Sequence, residues 1–361
     1  MSSTESTPTP SPETTPTVTS RPYGQLPDGR DVTAWTLRNA AGMELEVLTY
    51  GGIVSRLIVP DGGGERRDVV LGFNGLAAYL NNKPFAGATV GRIAGRVPDG
   101  IIEVEGKTYH LLQNDGTNHL HGGAIGFDKR LWSAEGIERA DGAPSVRLSY
   151  TSPSGEEGYP GEVLVAVTYT VTHDNAFLYE TEVTTSEPTP VSLTHHAYFN
   201  LAGEGSGSIE DHELVILSEA VAAADEEMTL LGGKEPVAGK PCDLNTRKRV
   251  GDIIPGIWQE HGDLYWLGEA EELRPVARLF HPPTGQVMEV STTETCLQFY
   301  TGKDFDGSLT GKSGRPYTRC AGLCLETEGY PAATTQAGFG DIIVRPGNPQ
   351  RRITKFAFCH D

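Results

Sequence analysis

Residues 163–171 of this 361-residue chain set the expected fold class: they read Val163-Leu164-Val165-Ala166-Val167-Thr168-Tyr169-Thr170-Val171. Valine or tyrosine occupies every odd position, and leucine, alanine or threonine every even one. Successive side chains of a β-strand point to opposite faces, so this alternation predicts a long, half-buried strand.

The chain on both sides repeats this pattern. Residues 102–105 and 108–111 flank Gly106-Lys107 and predict a β-hairpin, because glycine tolerates the positive φ of a tight turn. Further strand–turn units are predicted at residues 45–59, 146–150, 178–184 and 287–292.

Helical periodicity is scarce, and residues 75–81 are the one stretch that favours a helix. The 44 glycines and 24 prolines favour many short strands over long helices. No internal period of about 20–50 residues indicates a repeat architecture. We therefore expect an all-β protein with one antiparallel β domain, although the length would also allow two smaller domains.

The first 20 residues differ from the rest, being almost entirely serine, threonine, proline and glutamate. Such a composition buries too little apolar surface to offset the entropy of ordering. We expect a disordered tail over residues 1–20 and the β domain over residues 21–361.

Composition also limits the partners. A net charge of -19 disfavours nucleic acids and anionic membrane surfaces. No uncharged stretch is long enough to span a bilayer. The five cysteines form no C-x-x-C pair and no signal-peptide pattern opens the chain, so we expect a cytoplasmic protein.

Two polar clusters precede residue 130. Arg92 and Arg96 lie in a glycine-rich segment that is neither a dinucleotide nor a P-loop motif, and they suit either sugar hydroxyl groups or a surface turn. His119 and His121 are two residues apart and would share a strand face. With His195 they would form a cupin-like metal site, but hydrogen-bonding histidines are the favoured interpretation.

Two more clusters lie later in the chain. His195 and His196 are adjacent, so only one of them can face a given pocket. Glu326 and Glu328 alternate with Leu325 and Thr327, which places both carboxyl groups on one strand face. A desolvated Glu326 would be a general base, whereas the alternative is a structural ion pair, for example with Arg96.

Seven sequence blocks, in this order, resemble the aldose 1-epimerase (galactose mutarotase) family. The blocks are D-V-V-L-G-F at 68–73, L-H-G-G at 120–123, G-F-D-K at 126–129, G-E-E-G-Y-P-G at 155–161, Y-F-N-L at 198–201, Q-F-Y-T-G at 298–302 and L-E-T at 325–327. The resemblance covers residues 23–360 and implies a single large antiparallel β-supersandwich with few short helices.

The resemblance also implies roles for six residues. Glu326 matches the general base and His196 the general acid. The matched substrate-binding residues are Arg96, His121, Asp263 and Gln298. In the implied reaction, Glu326 is ionised and His196 is charged before an aldohexose such as galactose or glucose opens and recloses, with no cofactor and no metal.

The chain departs from the family pattern near the site. Gly95 and His195 stand where asparagine is usual, Leu264 where histidine is usual, Glu328 where glutamine is usual, and Ala332 where aspartate is usual. The alternatives are a sugar-binding or sensor protein with little activity, and an epimerase of sugar phosphates. We expect a small-molecule sugar as the partner of a monomer or homodimer.

Overall fold

Strands dominate the computed structural model, which describes residues 15–61, 65–81 and 83–361. The first strands are β1 (Thr17–Gln25), β2 (Asp31–Arg38), β3 (Glu44–Leu48), β4 (Val54–Pro60), β5 (Arg66–Asp68), β6 (Thr89–Val90), β7 (Arg96–Val97), β8 (Ile101–Val104), β9 (Lys107–His110), β10 (His119–Leu120), β11 (Ser133–Ile137), β12 (Ser145–Ser152), β13 (Val163–Val171) and β14 (Ala176–Thr185). The later strands are β15 (Thr189–Pro190), β16 (Thr194–His195), β17 (Glu213–Ile216), β18 (Ala220–Ala224), β19 (Leu230–Pro236), β20 (Lys248–Arg249), β21 (Leu264–Trp266), β22 (Arg274–His281), β23 (Gln286–Thr292), β24 (Cys296–Tyr300), β25 (Asp306–Thr310), β26 (Pro316–Thr318), β27 (Cys324–Glu328), β28 (Ile343–Val344) and β29 (Gln350–His360).

Helices are few and short within the described residues. The α-helices are α1 (Leu76–Leu80) and α2 (Val250–Ile253). Single 3-10 turns occur at Pro98–Gly100, Phe127–Lys129, Glu156–Gly158, Ile254–Gly256 and Trp258–Glu260. The predicted helix at residues 75–81 is confirmed by α1, whereas α2 was not predicted.

The largest sheet has nine strands in the order β11-β12-β13-β14-β29-β23-β22-β17-β20, and its paired strands are antiparallel. The predicted strand at residues 163–171 is β13, and its valines at 163, 165 and 167 are fully buried. Two five-stranded sheets, β1-β2-β3-β4-β5 and β19-β18-β21-β24-β27, share one core with it. The all-β sandwich expected from the sequence is confirmed.

The predicted hairpin at residues 102–111 is formed by β8 and β9. Its turn is Glu105-Gly106, one residue earlier than predicted, because both residues adopt positive φ and Lys107 already belongs to β9.

The N-terminal boundary also differs from the prediction. Residues 17–20 belong to β1, which pairs with β2 and is exposed along most of its length. An exposed edge strand needs no apolar side chains, so a Ser/Thr-rich composition did not reveal it. The rest of the predicted tail lies largely in residues 1–14, outside the described residues. No helix in the described ranges is long and apolar enough to cross a membrane.

Candidate active site

The cleft is built on the pairing of β24 and β27. Gln298 of β24 lies directly opposite Glu326 of β27. Glu326 and Glu328 both line a cavity of about 450 Å³, together with Gln298. The predicted common face of the two glutamates is therefore confirmed.

The second wall is formed by β7 and β10. Leu120 pairs with Arg96, and the next residue, His121, has a φ of 52° that turns its side chain into the cleft. His121 donates its backbone N–H to the carbonyl of Gly95, and Gly95 donates its own N–H to Nδ1 of His121, both at 3.1 Å. These two bonds fix the position of the His121 ring.

His119 and His121 do not share a face, contrary to the prediction, because of the positive φ at His121. His119 is buried outside the cleft, where its Nε2 lies 2.7 Å from the hydroxyl oxygen of Tyr159 and its Nδ1 lies 2.7 Å from the carbonyl of Leu112. The alternative metal site of His119, His121 and His195 is therefore not assembled.

The side chains of the adjacent residues His195 and His196 point to different sides of the chain, as predicted. His195 points into the core and packs against the rings of Phe177, Tyr179 and Phe356. His196 lines the cleft and is 4 % exposed.

His196 and Glu326 form the centre of the site. Nε2 of His196 lies 3.6 Å from Oε2 of Glu326, and both side chains are buried. On its other side, Nδ1 of His196 lies 3.6 Å from the thiol sulfur of Cys324. One ring nitrogen of His121, one ring nitrogen of His196 and one carboxylate oxygen of Glu326 all lie within 4.8 Å of one another.

Burial sets the protonation of this pair. It raises the pKa of Glu326 to about 8 and lowers the pKa of His196 to about 4. At neutral pH these shifts place the proton of the pair on Glu326 and leave His196 neutral. Ionised Glu326 and charged His196 are the reacting forms that the resemblance implies and stay a prediction, and burial opposes the charge on each group.

Arg96 lines the cleft, as expected for a substrate-binding residue. Its Nε donates a hydrogen bond to Oδ2 of Asp115 at 2.7 Å, so its ion-pair partner is Asp115 and not Glu326. Arg92, in contrast, is 2 % exposed and donates to the carbonyl oxygens of Ser152, Pro153 and Pro160. Arg92 is thus a buried structural residue and not a surface one.

Asp263 lies beside the main cavity. It lines an adjoining cavity of about 100 Å³ that shares Gln298 and Leu264 with the main one. Burial raises the pKa of Asp263 to about 6. Of the six predicted site residues, five line the main cleft and Asp263 lies in this side pocket.

Aromatic side chains form a further wall of the cleft, and Phe85 and Tyr300 in this wall are not among the predicted site residues. The ring of Phe85 lies 4.8 Å from that of His121 and 5.9 Å from that of His196, and Tyr198 lies 5.1 Å from His196. His261 also lines the cleft, with its ring 4.4 Å from that of Tyr300. Tyr300 lies two residues after Gln298 on the same face of β24, so the period of two could have indicated it. Phe85 lies in a loop at positive φ and gives no such signal.

The fold and the cleft together define an all-β sandwich protein with a buried histidine–glutamate pair among polar and aromatic side chains. Such a cleft suits a small polyhydroxylated ligand, whose C–H faces pack on rings and whose hydroxyl groups bond to polar groups.

Comparisons with known proteins identify the family. Residues 33–357 match the family model described as aldose 1-epimerase. The chain is 40 % identical to a galactose mutarotase of Rattus norvegicus, over 94 % of this chain and 98 % of the relative. It is 30 % identical to an aldose 1-epimerase of Escherichia coli strain K12, over 92 % and 96 % of the two chains. A galactose 1-epimerase structure from Lactobacillus acidophilus superimposes with a TM-score of 0.83 at 26 % identity, covering 96 % and 99 %. The chain belongs to the aldose 1-epimerase family.

Proposed function

We propose that this protein interconverts the α and β anomers of free aldohexoses such as galactose and glucose. The observation that carries the proposal is the buried His196–Glu326 pair, with 3.6 Å between Nε2 and Oε2, in a cleft that also presents Arg96 and Gln298. A ring-opening reaction needs one group that removes a proton and another that supplies one, within reach of the same sugar.

The pair balances the protons of the reaction. Ionised Glu326 removes the proton of the C1 hydroxyl group while protonated His196 donates a proton to the ring oxygen, so the bond between C1 and the ring oxygen breaks. The aldehyde turns about its bond to C2, and the freed hydroxyl group then attacks its other face. His196 takes that hydroxyl proton, and Glu326 returns its proton to the oxygen on C1.

With the proton on Glu326 and His196 neutral, the pair holds the same number of protons as it does in the ionised, reactive form. A shift of one proton from Glu326 to His196 produces the ionised pair without exchange with solvent. The positive charge of Arg96 lowers the pKa of Glu326 and so favours that shift.

Four side chains are proposed to hold the sugar: Arg96, His121, Asp263 and Gln298. Arg96 and His121 act from the wall formed by β7 and β10, and Gln298 acts from β24. From the side pocket, Asp263 accepts a hydrogen bond when its carboxyl group is ionised and donates one when it is protonated.

The two alternatives are less well supported. A binding protein has no need of two buried titratable groups in contact. An epimerase of sugar phosphates needs cationic groups for the phosphate, but the donors of Arg92 are bonded to backbone carbonyls. The proposed enzyme uses no cofactor or metal, acts as a monomer or homodimer, and is cytoplasmic.

Polarimetry on freshly dissolved α-D-galactose and α-D-glucose tests the proposal. We expect the unaltered protein to accelerate the change in rotation, and Glu326→Gln and His196→Asn each to slow it by about 10²–10⁴-fold. Glu289→Gln and His173→Asn change a half-buried glutamate and an exposed histidine outside the cleft, and they are the controls. If the unaltered protein leaves every free aldose at the buffer rate, the proposal fails.

A further inference from the structure

Glu328 is a buried carboxyl group at the cleft wall for which the reaction described above has no use. It is 1 % exposed, lines the main cavity, and lies two residues from Glu326 on the same face of β27. Its Oε2 atom has no hydrogen-bond partner within the described residues. Leaving a buried polar atom without a partner costs about 1–3 kcal/mol, so an unpartnered oxygen in a binding cleft indicates a partner on the ligand.

The groups around Glu328 are acidic or neutral. Glu326 lies beside it on β27, and Cys296 lies opposite it on β24. The carboxyl group of Glu294, in the turn before β24, raises the pKa of Glu328 by charge repulsion. Glu294 itself lies 3.6 Å from Arg352. Arg96, which lines the same cleft, is paired with Asp115. In the described part of the chain, no cation forms an ion pair with Glu328.

This environment favours the protonated form of Glu328. Burial raises its pKa well above the usual value, and the neighbouring carboxyl groups of Glu326 and Glu294 raise it further. Two buried carboxyl groups on one strand face cannot both be ionised without a large repulsion.

The carboxyl group of Glu328 fits into the cleft wall because residue 95 has no side chain. A Cβ atom at residue 95 would lie 3.0 Å from Oε1 of Glu328 and 2.5 Å from Cγ of Pro331, and the φ of Gly95 is +76°. Any side chain there would press on the carboxyl group. The glycine therefore leaves room for Glu328 next to the start of β7, where Arg96 lies.

We propose that Glu328 binds the substrate as a neutral carboxylic acid, donating a hydrogen bond from its carboxyl group to a sugar oxygen beside Glu326. The inference rests on the proposed function, because it requires a sugar in the cleft. A neutral acid at this position contacts the ligand without adding a negative charge that would oppose ionisation of Glu326 during the reaction.

Two substitutions separate hydrogen bonding from shape. Glu328→Met keeps the length of the side chain and removes the hydrogen bond, so we expect KM and the Kd for galactose to rise about 10-fold, as for the loss of one hydrogen bond. Glu328→Gln keeps a donor in the same place, and we expect a smaller rise of about 3-fold. Glu46→Gln changes a buried carboxyl group that neither lines the cleft nor acts on the pKa of Glu328, and it controls for general effects on the core. Thermal unfolding of each variant checks that it is folded.

The protonation of Glu328 is tested by pH and by infrared spectroscopy. If Glu328 is neutral, Glu328→Gln leaves the alkaline limb of kcat/KM, which reports Glu326, in place. If Glu328 is ionised, its removal lowers the pKa of Glu326 and moves that limb to lower pH, which overturns the proposal. At neutral pH the infrared difference between the unaltered protein and Glu328→Gln should contain the carbonyl band of a protonated carboxyl group.

Calorimetric titration with galactose distinguishes the two possible failures. If the unaltered protein binds no sugar, both the proposed function and the role of Glu328 are overturned. If it binds sugar with the same Kd as Glu328→Met, only the role of Glu328 is overturned.

Discussion

The backbone N–H of Gly95 donates a hydrogen bond to Nδ1 of His121, at 3.1 Å, and thereby fixes the tautomer of a histidine in the cleft. Nδ1 is the acceptor, so the ring proton of neutral His121 is on Nε2. Burial lowers the pKa of His121 well below the usual value, which keeps the ring neutral across the working range. His121 is therefore a fixed hydrogen-bond donor from Nε2 and not a second acid.

This assignment predicts the effect of His121→Ala. Loss of the donor should lower kcat/KM for galactose about 10-fold or more, mostly through KM, and without moving either limb of the pH profile. His110→Ala, at an exposed position of β9, is the control. A displaced acid limb in His121→Ala would mean that His121 exchanges protons during turnover.

The pH profile of kcat/KM should be bell-shaped, because the His196–Glu326 pair is active only when it holds one proton. Below about pH 4 the pair gains a second proton on His196, and above about pH 8 it loses the proton of Glu326. Arg96→Gln removes a charge that lowers the pKa of Glu326, so the alkaline limb should move to higher pH. Initial rates by polarimetry in buffers of constant ionic strength test both statements, and a monotonic profile would contradict them.

Asp115 is expected to position Arg96 without contacting the sugar. The 2.7 Å bond from Nε of Arg96 to Oδ2 of Asp115 is partly exposed, and such pairs contribute about 0–1 kcal/mol. Asp115→Asn should therefore raise KM by about 2–5-fold and leave kcat nearly unchanged. Asp141→Asn, which alters a longer and exposed contact with Arg139, provides the matched control. A fall in kcat with unchanged KM would argue against a positioning role.

Much of the fold could be predicted from local sequence, because alternation is a property of the strand itself. The valines of β13 and the hairpin of β8 and β9 carry this signal in a few residues. Strand β1 could not be found in this way, since an exposed edge strand is stabilised by backbone pairing with β2 and needs no apolar pattern.

The site was predictable where it depended on strand geometry and not where it depended on loops. Alternation correctly placed Glu326 with Glu328 and separated His195 from His196. It failed for His119 and His121, because a single positive φ at His121 breaks the period of two. The protonation of the His196–Glu326 pair was also out of reach, since it depends on burial by segments distant in sequence.

His195 should make the fold sensitive to acid. Burial lowers its pKa from 6.5 to about 3, so between these two values the unfolded chain binds more protons than the native protein. This contribution to stability is complete above pH 6.5 and is lost as the pH falls, with a slope that approaches about 1.4 kcal/mol per pH unit.

His195→Leu removes the titrating group from its aromatic surroundings. The free energy of unfolding of His195→Leu should therefore fall less steeply than that of the unaltered protein between pH 7 and pH 5 in urea titrations. The difference between the two proteins at pH 8, where the imidazole is neutral in both states, measures the change in packing alone. Equal slopes for the two proteins would show that His195 is not held neutral by the core.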